Sequence, residues 1–150
     1  MNGEVMTRRF GTAIVCGAGL AGLAATRALS DSFDRVIIIE RDELHDAAEP
    51  RGGVPQGRQV HTLLPGGRAA LDEMLPGLSD DMIGHSAVRT DITADVKQFH
   101  IDSWVPRFPS DLWSTLSSRS LLESVVRRRV VGLPNAQTFT RLMPSREVAQ

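Results

Sequence analysis

Ala13-Ile-Val-Cys16 runs directly into Gly17-Ala18-Gly19-Leu-Ala-Gly22, and a second apolar run, Val36-Ile-Ile-Ile-Glu40, ends on an acid. An apolar run, a turn with three glycines, a small-residue segment and another apolar run closing on a carboxylate form the pattern of a strand–helix–strand unit that holds an adenine dinucleotide. Each glycine has its own task. Gly17 permits the tight turn, Gly19 lets the backbone approach a pyrophosphate beside Ala18, and Gly22 lets the helix pack closely on the strand. The unpaired amides and positive end of the helix then face the phosphates. Glu40, at the tip of the second strand, is placed to accept hydrogen bonds from ribose hydroxyls and to repel a 2′-phosphate. The glycine pattern recurs by chance when it stands alone, so its weight comes from the apolar run before it and the helical segment after it.

Working outward, Thr12 to Cys16 reads as a buried parallel strand, apolar on both faces. Leu20 to Leu29 reads as the following helix and Arg35 to Glu40 as the second strand, joined by a right-handed crossover. From Arg41 to Val60 the chain is polar and broken by Pro50, Gly52, Gly53, Pro55 and Gly57, a long connection of the kind that carries function. His61 to Leu75 returns to helical spacing through Leu64, Ala69, Leu71 and Met74, and Leu78 to His85 reads as a short helix with Asp80-Asp81 as a solvated pair at its start. Val88 to Val105 alternates as two antiparallel strands. Ser120-Leu-Leu-Glu123 matches a capping box ahead of a helix whose apolar face is Leu121, Leu122, Val125, Val126 and Val130. Arg127, Arg128 and Arg129 fall in its last turns, where cations complement the macrodipole, so the arginine run has a structural reason. Gly132 and Pro134 end the helix, and Ala136 to Thr140 reads as a third strand.

The 150 residues suit one domain, and the composition, 41% apolar and 23% charged, is that of an ordinary soluble protein. A net charge of −1 provides no basic field for nucleic acid. Cys16 is the only cysteine, which excludes an internal disulfide; its place in the first strand reads as a small buried apolar side chain, and a reducing cytoplasm fits. The opening Met1 to Phe10 is too polar for a signal peptide, and no apolar run reaches the length of a membrane span. His45, His85 and His100 share no metal-like spacing, and no Ser/His/Asp, Cys/His or paired-carboxylate set stands out, so no metal site and no catalytic residue is assigned.

The series Gly17-x-Gly19-x-x-Gly22-x-x-Ala25, Glu40-Arg41-Asp42, Arg51-Gly-Gly-Val-Pro-Gln-Gly-Arg58-Gln59-Val-His61 and Ser118-Arg119-x-x-Leu122-Glu123 resembles the N-terminal portion of FAD-dependent monooxygenases of the aromatic hydroxylase and epoxidase type, common in bacterial secondary metabolism. The resemblance runs from about Thr12 to Thr140. It implies an α/β fold, a Rossmann-like FAD/NAD(P)-binding domain with a three-stranded parallel core and an inserted antiparallel β segment, incomplete at the C-terminus. The chain then divides into a βαβ unit at 12–40, a cofactor loop at 41–60, a helix and β insertion at 61–110, a helix and third strand at 118–140 and an atypical tail at 141–150. The block from Val54 to His61 favours FAD, since a plain NAD-dependent dehydrogenase has no reason to carry it.

By the same resemblance the turn at Gly17, Ala18, Gly19 and Gly22 holds pyrophosphate, Glu40 meets the adenosine ribose, Arg51, Arg58, Gln59 and His61 lie toward the flavin, and Arg119 holds the phosphate side; Arg41, next along the strand end, reads either as a contact to the adenosine or as a surface arginine. Arg119 also has a physical argument of its own: an unpaired cation at a positive helix start is unfavourable, and a nearby phosphate resolves the conflict. In a complete enzyme, NAD(P)H would reduce FAD transiently and O₂ would hydroxylate or epoxidise an aromatic or unsaturated small molecule. The family's later motifs are not found, so two further readings stay open. One is a truncated remnant or split-enzyme subunit that binds a dinucleotide or a C-terminal partner chain without turnover; the other is an NAD-dependent reductase. A sheet without later strands would also expose an edge and one face.

Overall fold

In the computed structural model, residues 9–45, 47–49 and 59–141 are described. The chain opens with β1 (Phe10–Cys16), α1 (Leu20–Ser30) and β2 (Phe33–Ile39). After the long connection come β3 (Val60–Leu63), α2 (Pro65–Met74), α3 (Leu78–Gly84), β4 (Val88–Asp91), β5 (Phe99–His100), β6 (Ser103–Trp104), β7 (Trp113–Ser118), α4 (Arg119–Val131) and β8 (Ala136–Phe139). The architecture is α/β, with a parallel sheet of three strands in the order β1-β2-β8 and an antiparallel sheet in the order β3-β7-β4. β5 and β6 form a separate two-stranded hairpin.

Alternation along β2 decides how the parallel sheet is covered. Val36 and Ile38 are fully buried, while Ile37 and Ile39 between them are half-buried. The buried side packs with Leu23 of α1 and with Leu122, Val125, Val126 and Val130 of α4, and the same core takes in Leu75, Leu78 and Met82. A smaller cluster of Ala13, Val15 and Val36 closes the β1 end. The other side of the sheet is open among the described residues: Ile14 is 61% exposed, Phe139 is 48% exposed and Cys16 is exposed. Cys16 is therefore not the buried side chain that the sequence suggests, and β1 is covered on one face only, because both helices that reach the sheet lie on the Val36/Ile38 side.

Several elements differ from the sequence reading. Residues 60–63 form a strand, and the helix expected from His61 starts only at Pro65, whose fixed φ suits the first helical turn. β7 goes unrecognised in the sequence although it is the central strand of the antiparallel sheet, paired with β3 through Leu63↔Thr115 and with β4 through Thr90↔Ser114. The two strands expected between Val88 and Val105 are three short ones, and β4 pairs with β7 while β5 and β6 pair with each other. α4 is capped by Ser118, whose hydroxyl accepts from the Leu121 amide at 3.1 Å, not by Ser120. Asp81, partly exposed, is also paired: Arg129 Nε donates to it at 2.9 Å, tying α3 to α4, and lowers its pKa. Arg129 also caps the carbonyls of Pro76 and Gly77. No described helix is long and apolar enough to cross a membrane.

Candidate functional site at the glycine turn

β1 delivers Gly17 to the C-terminal edge of the parallel sheet, where its amide donates to Ile39 O at 2.7 Å. Gly17 has φ +97°, a conformation that L side chains rarely adopt. Gly22 lies directly behind it: a Cβ there would stand 1.9 Å from Gly17 O. α1 therefore presses its first turn against the bend. Gly19 is the helix N-cap, with no side-chain cap bond and no acidic residue in the first turn. The first-turn donors of α1 lack the side-chain acceptor that Ser118 provides for α4.

Glu40 stands against this turn and is 7% exposed. Its Oε2 accepts from the Ala18 amide at 2.6 Å and its Oε1 from the Asp42 amide at 3.0 Å. The acid and the glycine coil are thus brought together, with the carboxylate locking the coil. Arg41 extends from the next position, its side chain 60% exposed and 3.6 Å from Asp42.

A second group forms where β3 and β7 pair. Arg119 is the first residue of α4, and its amide donates to Gln59 O at 3.2 Å. Its Nε donates to Glu123 Oε1 at 2.9 Å, and its Nη1 lies 3.5 Å from His61 Nε2. The positive helix start that argued for a phosphate beside Arg119 is answered within the chain by Glu123, one turn further on. Burial first, and then the Arg119 guanidinium, hold the His61 imidazole below its ordinary pKa, with Glu123 opposing them. Gln59, His61 and Arg119 are thereby assembled. Arg51 and Arg58 lie outside the described residues.

A cavity of about 420 Å³ opens beside the end of β8, lined by Leu44, Arg127, Arg128, Val131, Gly132, Thr138 and Thr140. Thr138 pairs with Ile38 of β2, and the Glu40 amide donates to Phe139 O at 2.9 Å, so the cavity adjoins the same strand ends as the glycine turn. Thr138 Oγ1 is buried there with no hydrogen-bond partner among the described residues. Arg127, 7% exposed, donates to the carbonyl of His45 and pins the start of the long connection over α4. Sequence reasoning assigned none of these lining residues, nor Glu123, to the site. The signal available for the threonines was the position of β8 beside β2, because ligands of open α/β sheets bind outside the carboxyl ends of adjacent strands. No group of three or more His, Cys, Asp or Glu residues that could hold a metal occurs among the described residues.

The fold is that of solved oxygenases. The tetrameric form of 2-methyl-3-hydroxypyridine-5-carboxylic acid oxygenase matches at a TM-score of 0.61 and 24% identity, over 91% of this chain and 32% of that one. The p-nitrophenol 4-monooxygenase PnpA from Pseudomonas putida DLL-E4 matches at 0.57 and 21% identity, over 91% of this chain and 33% of that one. At these identities the likeness is one of fold, and at that level the resemblance to monooxygenases holds. In sequence, the chain is 36% identical over 146 residues to Protein Rv3254 of Mycobacterium tuberculosis (strain ATCC 25618 / H37Rv), covering 92% of this chain and 31% of that protein. The chain spans about a third of the length of these relatives. No family model matches it.

Proposed function

We propose that the chain is the FAD-binding portion of a flavin-dependent monooxygenase acting on an aromatic or unsaturated small molecule in the cytoplasm. One observation carries the reading: a positive-φ glycine turn, the uncapped start of α1 and a buried acid all meet at the C-terminal edge of a parallel sheet. Those features fit an adenine dinucleotide. The first-turn amides of α1 would hold pyrophosphate, Glu40 would accept a ribose hydroxyl, and the cavity beside Thr138 and Thr140 has the volume for an adenosine end. Residues 12–40 and 118–140 would form the Rossmann-like framework, and 41–60, with Arg51, Arg58, Gln59 and His61, the flavin side. FAD, when bound, supplies the redox chemistry with NAD(P)H and O₂; the protein orients it and excludes water.

The names of the two solved relatives, one an oxygenase of a hydroxypyridine carboxylic acid and the other a monooxygenase of p-nitrophenol, support an aromatic substrate. The face of the parallel sheet left open among the described residues favours one alternative, a subunit that binds a dinucleotide and docks on a second polypeptide without turnover of its own. Titration of the purified chain with FAD and, separately, with NADH tests the reading. Preferential FAD binding supports it; binding of NADH alone points instead to a reductase, and binding of neither removes both.

A further inference from the structure

Arg119 sits at the first position of α4, where the helix's own positive end disfavours a cation. Glu123, 4% exposed, meets its Nε away from water, where a charge-assisted hydrogen bond is strong. On the other side His61 Nε2 lies 3.5 Å from Nη1. An ordinary i,i+4 pair on a helix surface leaves the arginine mobile. Here the pair is anchored from a second element, because β3 is registered on β7 through His61↔Ser117 and Val60↔Ser118, and Gln59 O accepts the Arg119 amide. The third guanidinium nitrogen, Nη2, has no hydrogen-bond partner among the described residues.

We propose that Glu123 and His61 are positioning residues that hold the Arg119 guanidinium by Nε and Nη1, so that Nη2 donates to a phosphate oxygen of the bound dinucleotide. This rests on the FAD-binding reading above. A guanidinium held at two of its nitrogens has little ordering entropy left to lose when it meets a phosphate. With the Glu123 carboxylate bonded to Nε, the contribution at Nη2 is a directed hydrogen bond and not net positive charge.

That distinction fixes the sign of the test. Glu123→Leu removes a negative charge, so a purely electrostatic role for Arg119 makes FAD, an anion, bind more tightly. A positioning role makes it bind about tenfold more weakly, the scale of one charge-assisted hydrogen bond. Glu123→Gln, which keeps an acceptor, restores most of the affinity. The double variant Arg119→Met with Glu123→Leu replaces the pair by apolar groups of similar volume and guards against misfolding. In that background the Glu123 change has no further effect on FAD affinity beyond that of Arg119→Met. Unchanged or tighter FAD binding by Glu123→Leu, or a further loss in the double variant, overturns the positioning role and leaves the proposed function standing. Failure of the unaltered chain to bind FAD overturns the proposed function itself and the positioning role with it.

Discussion

Gly22 is the most constrained residue of the turn, since a methyl group there would lie 1.9 Å from Gly17 O and the neighbour in conflict is backbone. Gly22→Ala is expected to lower stability by about 1–3 kcal/mol, the scale of overpacking in a close-packed site, read as a shift in denaturant midpoint with little change in slope. Glu40→Ala removes the carboxylate that accepts the Ala18 and Asp42 amides, and is expected to weaken FAD binding. The lowered pKa of His61 gives a pH signature of defined sign. Its neutral form is favoured by folding, so the stability it contributes is present above the ordinary value near 6.5 and is lost as pH falls through its lowered folded value. His61→Gln should flatten that part of a stability–pH curve, and an unchanged slope would count against the burial and the Arg119 contact as its causes. The glycines and Glu40 were legible because their roles are local backbone requirements that spacing encodes. Glu123 was not, because its pattern with Ser120 read as a capping box, whereas the cap is Ser118 and the Glu123 carboxylate goes to Arg119.

Among the elements, α4 bridges the two sheets: it follows β7, leads to β8 and packs on α1. Ser118→Ala removes the hydroxyl that accepts the Leu121 amide, and is expected to lower stability by about 1 kcal/mol in thermal or denaturant unfolding. In the segment between β4 and β7, one carboxylate gathers several donors. Asp91 accepts from the Ser110 amide at 2.7 Å, the Ser110 hydroxyl at 2.8 Å and the Thr93 amide at 3.0 Å. The Ser110 amide is the largest cause of a pKa well below the usual carboxylate range. The sign is that of a depressed acid: its contribution is present above about pH 4 and is lost as pH falls through the lowered value. Asp91→Ala should make residues 92–112 a site of rapid limited proteolysis while the cleavage pattern elsewhere is retained. β1, α1, β2 and β8 were legible from continuous apolar runs. β7 was hidden because Trp113-Ser-Thr-Leu-Ser-Ser118 has few apolar residues, and Ser114 and Thr115 are buried by their position between two strands. β3 was absorbed into the helix after it because four residues are too few to establish a period.

At the scale of the whole molecule, the parallel sheet has one face covered by α1 and α4 and, among the described residues, one face open, lined by Ile14, Ile37, Ile39 and Phe139 beside Cys16. Parallel sheets are ordinarily covered on both faces, and an edge strand such as β1, with no further strand beside it among the described residues, invites pairing. The isolated chain is expected to self-associate in a concentration-dependent way in sedimentation, and Ile14→Lys with Phe139→Lys should shift it toward monomer. A chain that stays monomeric at all concentrations without these changes would mean that the face is not sticky. That strands existed here was legible in the sequence; which face lay open was not, because Val36 to Ile39 is apolar on both sides and only the placement of the helices decides between them.

The turn, the uncapped helix start and the buried acid are read together as a seat for an adenine dinucleotide, and FAD binding by the purified chain tests this most directly. Titrating the chain into FAD should give saturable quenching or enhancement of flavin fluorescence, weakened by Glu40→Ala and by Gly22→Ala. A flavin signal that never departs from that of FAD alone, at any soluble concentration of the correctly folded chain, would contradict it.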